Sequence, residues 1–454
     1  MKRHQELLQG NINRMFLNYL LPSVGGMLGI SLYVLGDTLL VGRGLGSNGL
    51  TALNVSIPIM NVFSGLGLLF GVGGATIVSI FKGEGRDSET NNIFTIALLL
   101  SAIAGALLSI FGLLYLEEFS LLMGASQGLV LNMSKEYLTP LFLASIFFVI
   151  NTFLIVFVRN DNSPRLSMIA MLASSISNVI LDYIFLFVFD WGMRGIGIAT
   201  ALSPIISLII LSSHFIKRRN TIALTSISFN FATLRRIISN GIPGFIIETM
   251  AGAVIFIFNK VILGLEGDLG VAAYSIVANL SLFCAAVFNG IGQGIQPIIS
   301  INYGAGKMER VYKITKLAIF TSLGVGIGFL ALGLAFPRGL ASIFIKENNP
   351  TLMEMSITGI RLYFLSFMLM GLNTVLISFL QSKERARASI GISMGRGFVF
   401  ILIGITILPR IFAINGVWLT IPLAELATLV FALACYGPCK DAFAYTYRAM
   451  EFLN

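Results

Sequence analysis

Residues 22–43 read PSVGGMLGISLYVLGDTLLVGR, an apolar run that holds one carboxylate, Asp37, and meets its first basic residue only at Arg43. As a helix rising ~1.5 Å per residue, such a run matches a bilayer's hydrocarbon core of ~30 Å. A carboxylate at that depth costs at least ~2.5 to 3.5 kcal/mol, which makes Asp37 a functional hypothesis by default.

The surroundings agree with a membrane reading. The 454 residues are 56% hydrophobic and 11% charged, with a mean hydropathy of +0.88. Soluble domains carry about 25% charged residues, so a soluble fold is excluded. Windowed hydropathy predicts twelve crossings: Arg14 to Val41, Leu50 to Phe81, Ile93 to Leu116, Leu138 to Val158, Leu166 to Phe189, Gly195 to Ile216, Gly241 to Leu263, Gly270 to Tyr303, Ile314 to Phe336, Ile357 to Leu380, Ala388 to Leu408 and Gly416 to Tyr436. The expected fold is an all-α integral membrane protein. Of the 30 Lys and Arg, 21 fall on the side of the N-terminus, among them Lys2, Arg3, Lys440 and Arg448. Six fall on the other face, Lys346 included, and Lys260, Arg361 and Arg396 lie within spans. Both termini are therefore expected in the cytoplasm, and the expected location is a prokaryotic inner membrane. Parcelled this way, the net charge of +9 describes topology, and no nucleic-acid partner is expected. Residues 1–13 are polar and the first apolar run is too long for a cleaved leader, so the first helix should be its own insertion signal.

An internal repeat divides the chain. A shift of 221 residues superposes Pro22 on Pro243, Ala52 on Ala273, Gly71 and Gly73 on Gly292 and Gly294, and Gly195 on Gly416. Residues 82–86 (KGEGR) meet 303–307 (YGAGK) at the same shift. Six crossings per copy give both copies the same direction, so they are related about the membrane normal, with a cavity between them. The expected organisation is an N-lobe over 1–220, a cytoplasmic linker over 221–240 within the basic, Ser/Thr-rich segment Lys217 to Asn240, and a C-lobe over 241–454. Prolines 22 and 243 sit in the first turns of equivalent helices, where bends are expected.

The intramembrane polar residues carry the chemistry. Tyr33 lies one turn before Asp37, and Asn178 lies four residues before Asp182, so each pair shares a helix face. Two carboxylates, a phenol and an amide at one depth either surround a small cation, share a proton, or form a structural hydrogen-bond cluster. Glu248 maps onto apolar Met27, and Asp37 onto Phe258, so the two lobes are not alike. Arg396 and Glu425 either pair structurally or serve function, while Lys260 and Arg361 read as snorkelling residues. Cys284, Cys435 and Cys439 lack His partners, and neither a disulfide framework nor a metal site is expected. Residues 391–395 (GISMG) formally match the serine-hydrolase pattern G-x-S-x-G, but they fall inside a predicted helix, and the two histidines, His4 and His214, lie at or beyond helix ends.

Pro22 followed by GDTLLVGR over 36–43 resembles the first-helix signature of multidrug and toxic compound extrusion (MATE) transporters, and residues 177–183 (SNVILDY) are similar to that family's fifth-helix motif. Thr200 matches a threonine of the same cluster, and Pro243 with Glu248 resembles the start of helix seven. The pattern is closest to the DinF-like and MepA-like branches. The resemblance implies two pseudo-two-fold-related six-helix bundles that export bulky, often cationic compounds in exchange for H+ or Na+. It further implies a cation site of Tyr33, Asp37, Asn178, Asp182 and Thr200, a bend of helix one at Pro22, and a second coupling or substrate position at Glu248. Helices ten and eleven, over the spans given, contain no carboxylate, which favours the N-lobe for coupling. A small organic substrate, contact with lipid, no cofactor and a monomeric state complete the expectation. The rival is a lipid-linked-precursor flippase of the same superfamily, whose cavity would be lined with Arg, and a dedicated metabolite exporter is a further possibility. No charged pore ring argues for a channel.

Overall fold

The computed structural model describes residues 7–125, 127–345 and 349–435. Lys2, Arg3, His4, Lys346, Cys439, Lys440, Arg448 and the expected span end at Tyr436 lie outside them. Eight helices, plus one pair bent by 57°, are long and apolar enough to cross a bilayer. Three are far too long for one crossing, at 73, 74 and 50 residues. Each breaks at a single residue of positive φ: Gly46, Gly267 and Ala413. Residues eight apart touch across each break: Gly42 with Leu50, Ile262 with Gly270, and Leu408 with Gly416. Residues eight apart in a straight helix are ~12 Å apart, so the chain reverses at each point. Twelve crossings result among the described residues.

The first lobe holds α1 (12–45), α2 (47–84), α3 (Asp87–Leu114), the bent α4 (Leu129–Leu143 with Ser145–Asn160), α5 (Pro164–Val188) and α6 (Gly192–Ile216). The second holds α7 (231–266), α8 (268–304), α9 (Met308–Ala335), α10 (Pro350–Ser382), α11 (386–412) and α12 (414–435). Short helices Leu116–Leu122 and Pro337–Ser342 occupy equivalent positions after α3 and α9.

Some boundaries differ from expectation for physical reasons. α7 starts at Phe231, capped by Asn230, so the second half of the expected linker is helix and Pro243 is interior. The polar first turns of α7 hid it from a hydropathy window. The same holds for α10, which begins at Pro350 and therefore carries one carboxylate, Glu354, exposed on its outer end. α1 runs as helix through Pro22, whose ring leaves the carbonyl one turn earlier without its helical donor. Lys260 and Arg361 are both exposed.

Glycines set how closely the lobes approach. A Cβ on Gly83 would strike the Ile301 carbonyl, and one on Gly304 would strike the Ile80 carbonyl. These are the same contact seen from each side of a two-fold axis between α2 and α8, because 83 and 304, like 80 and 301, differ by 221. Gly73 likewise lies on Ile237 and Gly241, and Gly294 on Tyr19 and Leu20. All of these contacts sit toward the membrane face that holds the N-terminus. Nearer the opposite face, Gly36 and Gly44 touch only α5, and Gly264 faces open space. The lobes are thus packed from that face inward, with α2 and α7 still touching where Gly252 meets Pro58, and Leu32, Leu39, Ile176, Ile209 and Ile403 are among many large apolar side chains exposed on the periphery, as a lipid-facing surface requires.

Candidate functional site: a cavity backed by paired acids

Helices α1 and α5 run parallel and in register. Gly25 meets Met168, Gly29 meets Leu172, Gly36 meets Val179 and Gly44 meets Leu186. That register places Asp37 beside the turn that carries Asp182. Asp37 is 5% exposed and Asp182 0%. A π-helical stretch, Ile184–Val188, begins two residues after Asp182 and inserts a residue into the ladder, as is common at functional sites.

The Asn178 amide donates to Thr200 Oγ1 at 3.4 Å, and Thr200 donates to the Ile196 carbonyl at 3.0 Å. Asp37 Oδ1, both Asp182 oxygens and Asn178 Oδ1 are buried without a donor. An unsatisfied buried polar atom costs ~1–3 kcal/mol, so four acceptor oxygens in one place call for a positive charge or a proton. No Lys or Arg among the hydrogen bonds and ion pairs of the described residues supplies it here.

In front of this cluster lies a partly open cavity of about 200 Å³. Tyr33, Asn178, Thr200 and Glu248 line it, whereas Asp37 and Asp182 sit behind that lining. Glu248, expected as a position apart, reaches the same cavity from the second lobe: it packs against Gly65 and shares the lining with Tyr33. Met27, Met60, Met171 and Phe148 give the cavity deformable apolar walls. Its lining contains one carboxylate and neither Lys nor Arg. The floor is joined across the lobes by Arg159 Nη1 donating to Gln293 Oε1 at 2.7 Å and Gln296 Nε2 donating to Thr76 Oγ1 at 2.9 Å.

Three participants escaped sequence reasoning. Tyr137 of α4 is buried and packs against Gly197 of α6, one turn from Thr200, and Asn151, also of α4, lines the cavity with its Oδ1 unpartnered. Asn373 of α10 belongs to the second polar cluster described below. Tyr and Asn raise no alarm in a hydropathy profile, and only the helix register brings them to these places. Residues 391–395 lie at the helical end of the first part of α11, without the strand-turn-helix setting a hydrolase serine requires.

A family model described as MatE matches residues 22–184 and 243–407. The chain belongs to the MatE family. It is a multi-pass membrane protein built on the MATE fold. The multidrug export protein MepA of Staphylococcus saprophyticus is 27% identical over 405 residues, covering 88% of this chain and 87% of that protein. MepA of Staphylococcus aureus is 26% identical over 425 residues, 92% of each. A solved multidrug resistance MATE transporter of the MOP superfamily, in an outward-facing conformation, superposes with a TM-score of 0.89 at 22% identity, over 97% of this chain and 98% of that one. The two stretches matched by the MatE model begin at the equivalent prolines, 22 and 243, so the family repeat is the 221-residue repeat read from the sequence.

Proposed function

We propose that this MATE protein exports bulky organic compounds, cationic ones foremost, in exchange for H+ or Na+ taken up at Asp37 and Asp182. The observation that carries the reading is the group of four buried acceptor oxygens without a donor, directly behind the cavity wall. Such a group is stable when a cation or proton visits it, and Asn178, Thr200 and Tyr33 supply further oxygens. Glu248 at the cavity wall attracts a cationic substrate, and the Met and Phe side chains accommodate varied aromatic shapes. The names of the MepA relatives support the same substrate class.

The lobe contacts favour alternating access. The glycine crossings close the cavity on the face holding the N-terminus, which the distribution of Lys and Arg assigns to the cytoplasm. Ion entry from the opposite face would neutralise Asp37 and Asp182, loosen the substrate and let α1 bend at Pro22. A flippase for pyrophosphate-linked lipids is disfavoured by the acidic cavity, which lacks Arg and Lys. The test is uptake of a fluorescent organic cation into everted vesicles: Asp37→Asn should abolish ion-driven uptake with normal protein levels, and full transport by that variant would remove Asp37 from the mechanism.

A further inference from the structure

The second lobe carries its own buried polar cluster, placed where the first lobe has its cavity. Arg396 Nε donates to Glu425 Oε1 at 2.9 Å and to Oε2 at 3.1 Å. Asn373 Nδ2 donates to Glu425 Oε2 at 2.6 Å and to the Glu425 carbonyl at 2.9 Å, and Arg396 Nη2 approaches the Met370 carbonyl at 3.4 Å. The Arg396 and Glu425 side chains are 13% and 6% exposed. Arg396 sits inside a π-helical stretch, Gly395–Val399.

The repeat aligns this cluster with the cavity. Around α4 and α5 the shift is 222, as the positive-φ pair Asn162 and Glu384 shows, and it returns to 221 by Gly192 and Ala413. Asn373 then falls on Asn151, Arg396 on Ser174 and Glu425 on Pro204. Asn151, Ser174 and Pro204 all line the N-lobe cavity. One lobe leaves this position open before donor-less acids, and the other fills it with a guanidinium tied to its own acid.

We propose that Arg396 is a resident cation, a covalently held occupant of the C-lobe counterpart of the open cavity. It keeps solvent cations from Glu425. The proposal rests on the ion-coupling reading only in regarding the N-lobe cavity as a route for cations. Removing the guanidinium while keeping Glu425 would create a vacant site for a small monovalent guanidinium-type cation.

The experiment is thermal unfolding of the purified full-length protein, with methylguanidinium as the probe. Arg396→Ala should unfold several degrees below wild type and regain most of that loss in millimolar methylguanidinium. Wild type and the double variant Arg396→Ala/Glu425→Gln should not respond, and the double variant should be more stable than the single one without the probe. If the single variant cannot be purified, recovery of folded double variant supports the same charge-compensation role. The proposal is overturned if methylguanidinium fails to stabilise Arg396→Ala, if it stabilises the double variant equally, or if neither variant folds, which would assign Arg396 to packing. None of these outcomes depends on flux, so a failure of ion coupling at Asp37 would be seen separately.

Discussion

Gly46 and Gly267, 221 residues apart, share one unusual backbone conformation, φ 65° and ψ −155° in the first and φ 63° and ψ −154° in the second. Both turn a paired helix back on itself, so each lobe begins with the same hairpin. The region is open to glycine almost alone, and another residue held there costs ~1–3 kcal/mol. Gly46→Ala and Gly267→Ala should each lower stability by about that amount, through the backbone only, since no atom lies within 4 Å of a Cβ at either position. Ala413 occupies a related strained conformation, φ 48° and ψ −133°, at the repeat equivalent of Gly192. Ala413→Gly should therefore raise the unfolding midpoint in detergent, and an unchanged or lower midpoint would count against strain there.

Beyond the helix ends, Asp161 is a buried junction at the N-terminal face. It accepts from Lys82 Nζ at 2.6 Å and from the Thr221 amide at 2.8 Å, and its Oδ2 lies 2.9 Å from His214 Nε2. Burial alone would raise its carboxyl, but the His214 hydrogen bond, the Lys82 charge and the Thr221 hydroxyl outweigh that and hold it well below the usual range. A depressed folded value contributes stability that is present above the unfolded value of ~3.9 and lost as pH falls below it. Wild type should lose stability on acidification below about pH 4. Asp161→Asn should remove that part of the acid limb and, by breaking the buried ion pair with Lys82, cost about 3–5 kcal/mol near neutrality. Unfolding midpoints measured across pH for both proteins check this, and parallel curves would exclude the linkage.

The extent of sequence legibility follows from which residues are costly in lipid. Asp37, Asp182, Glu248, Arg396 and Glu425 each violate an apolar helix and announce themselves singly, the Lys and Arg distribution announces the orientation, and the proline and glycine register announces the repeat. What stayed hidden depends on distance. Glu248 looked like a second-lobe residue, yet α2 and α7 pack through Gly65, so it lines the first lobe's cavity. The Lys82–Asp161–His214 junction joins residues from three separate loops and helix ends, none unusual by itself. Asn151 and Asn373 gained meaning only when the 222-residue shift set one beside a cavity and the other beside an ion pair.

Glu248 and Asp37 should separate in transport. Glu248 touches the cavity, so Glu248→Gln should weaken the apparent affinity for cationic substrates by ~10-fold, equivalent to about 1.4 kcal/mol, and should spare neutral substrates. Equal losses for cationic and neutral compounds would deny it a role in substrate recognition.

Glu425→Gln should reduce folded yield rather than alter ion dependence, because the carboxylate is committed to Arg396 and Asn373. Yield by size exclusion and flux against ion gradients measure the two effects separately, and altered ion dependence at normal yield would reverse the assignment.

Proteoliposomes with imposed sodium or pH gradients, loaded with one organic cation, test the coupling of Asp37 and Asp182 most directly. Flux should follow at least one gradient in wild type and neither in Asp182→Asn. Wild-type flux indifferent to both gradients would contradict the account, even with the twelve crossings and the cavity left intact.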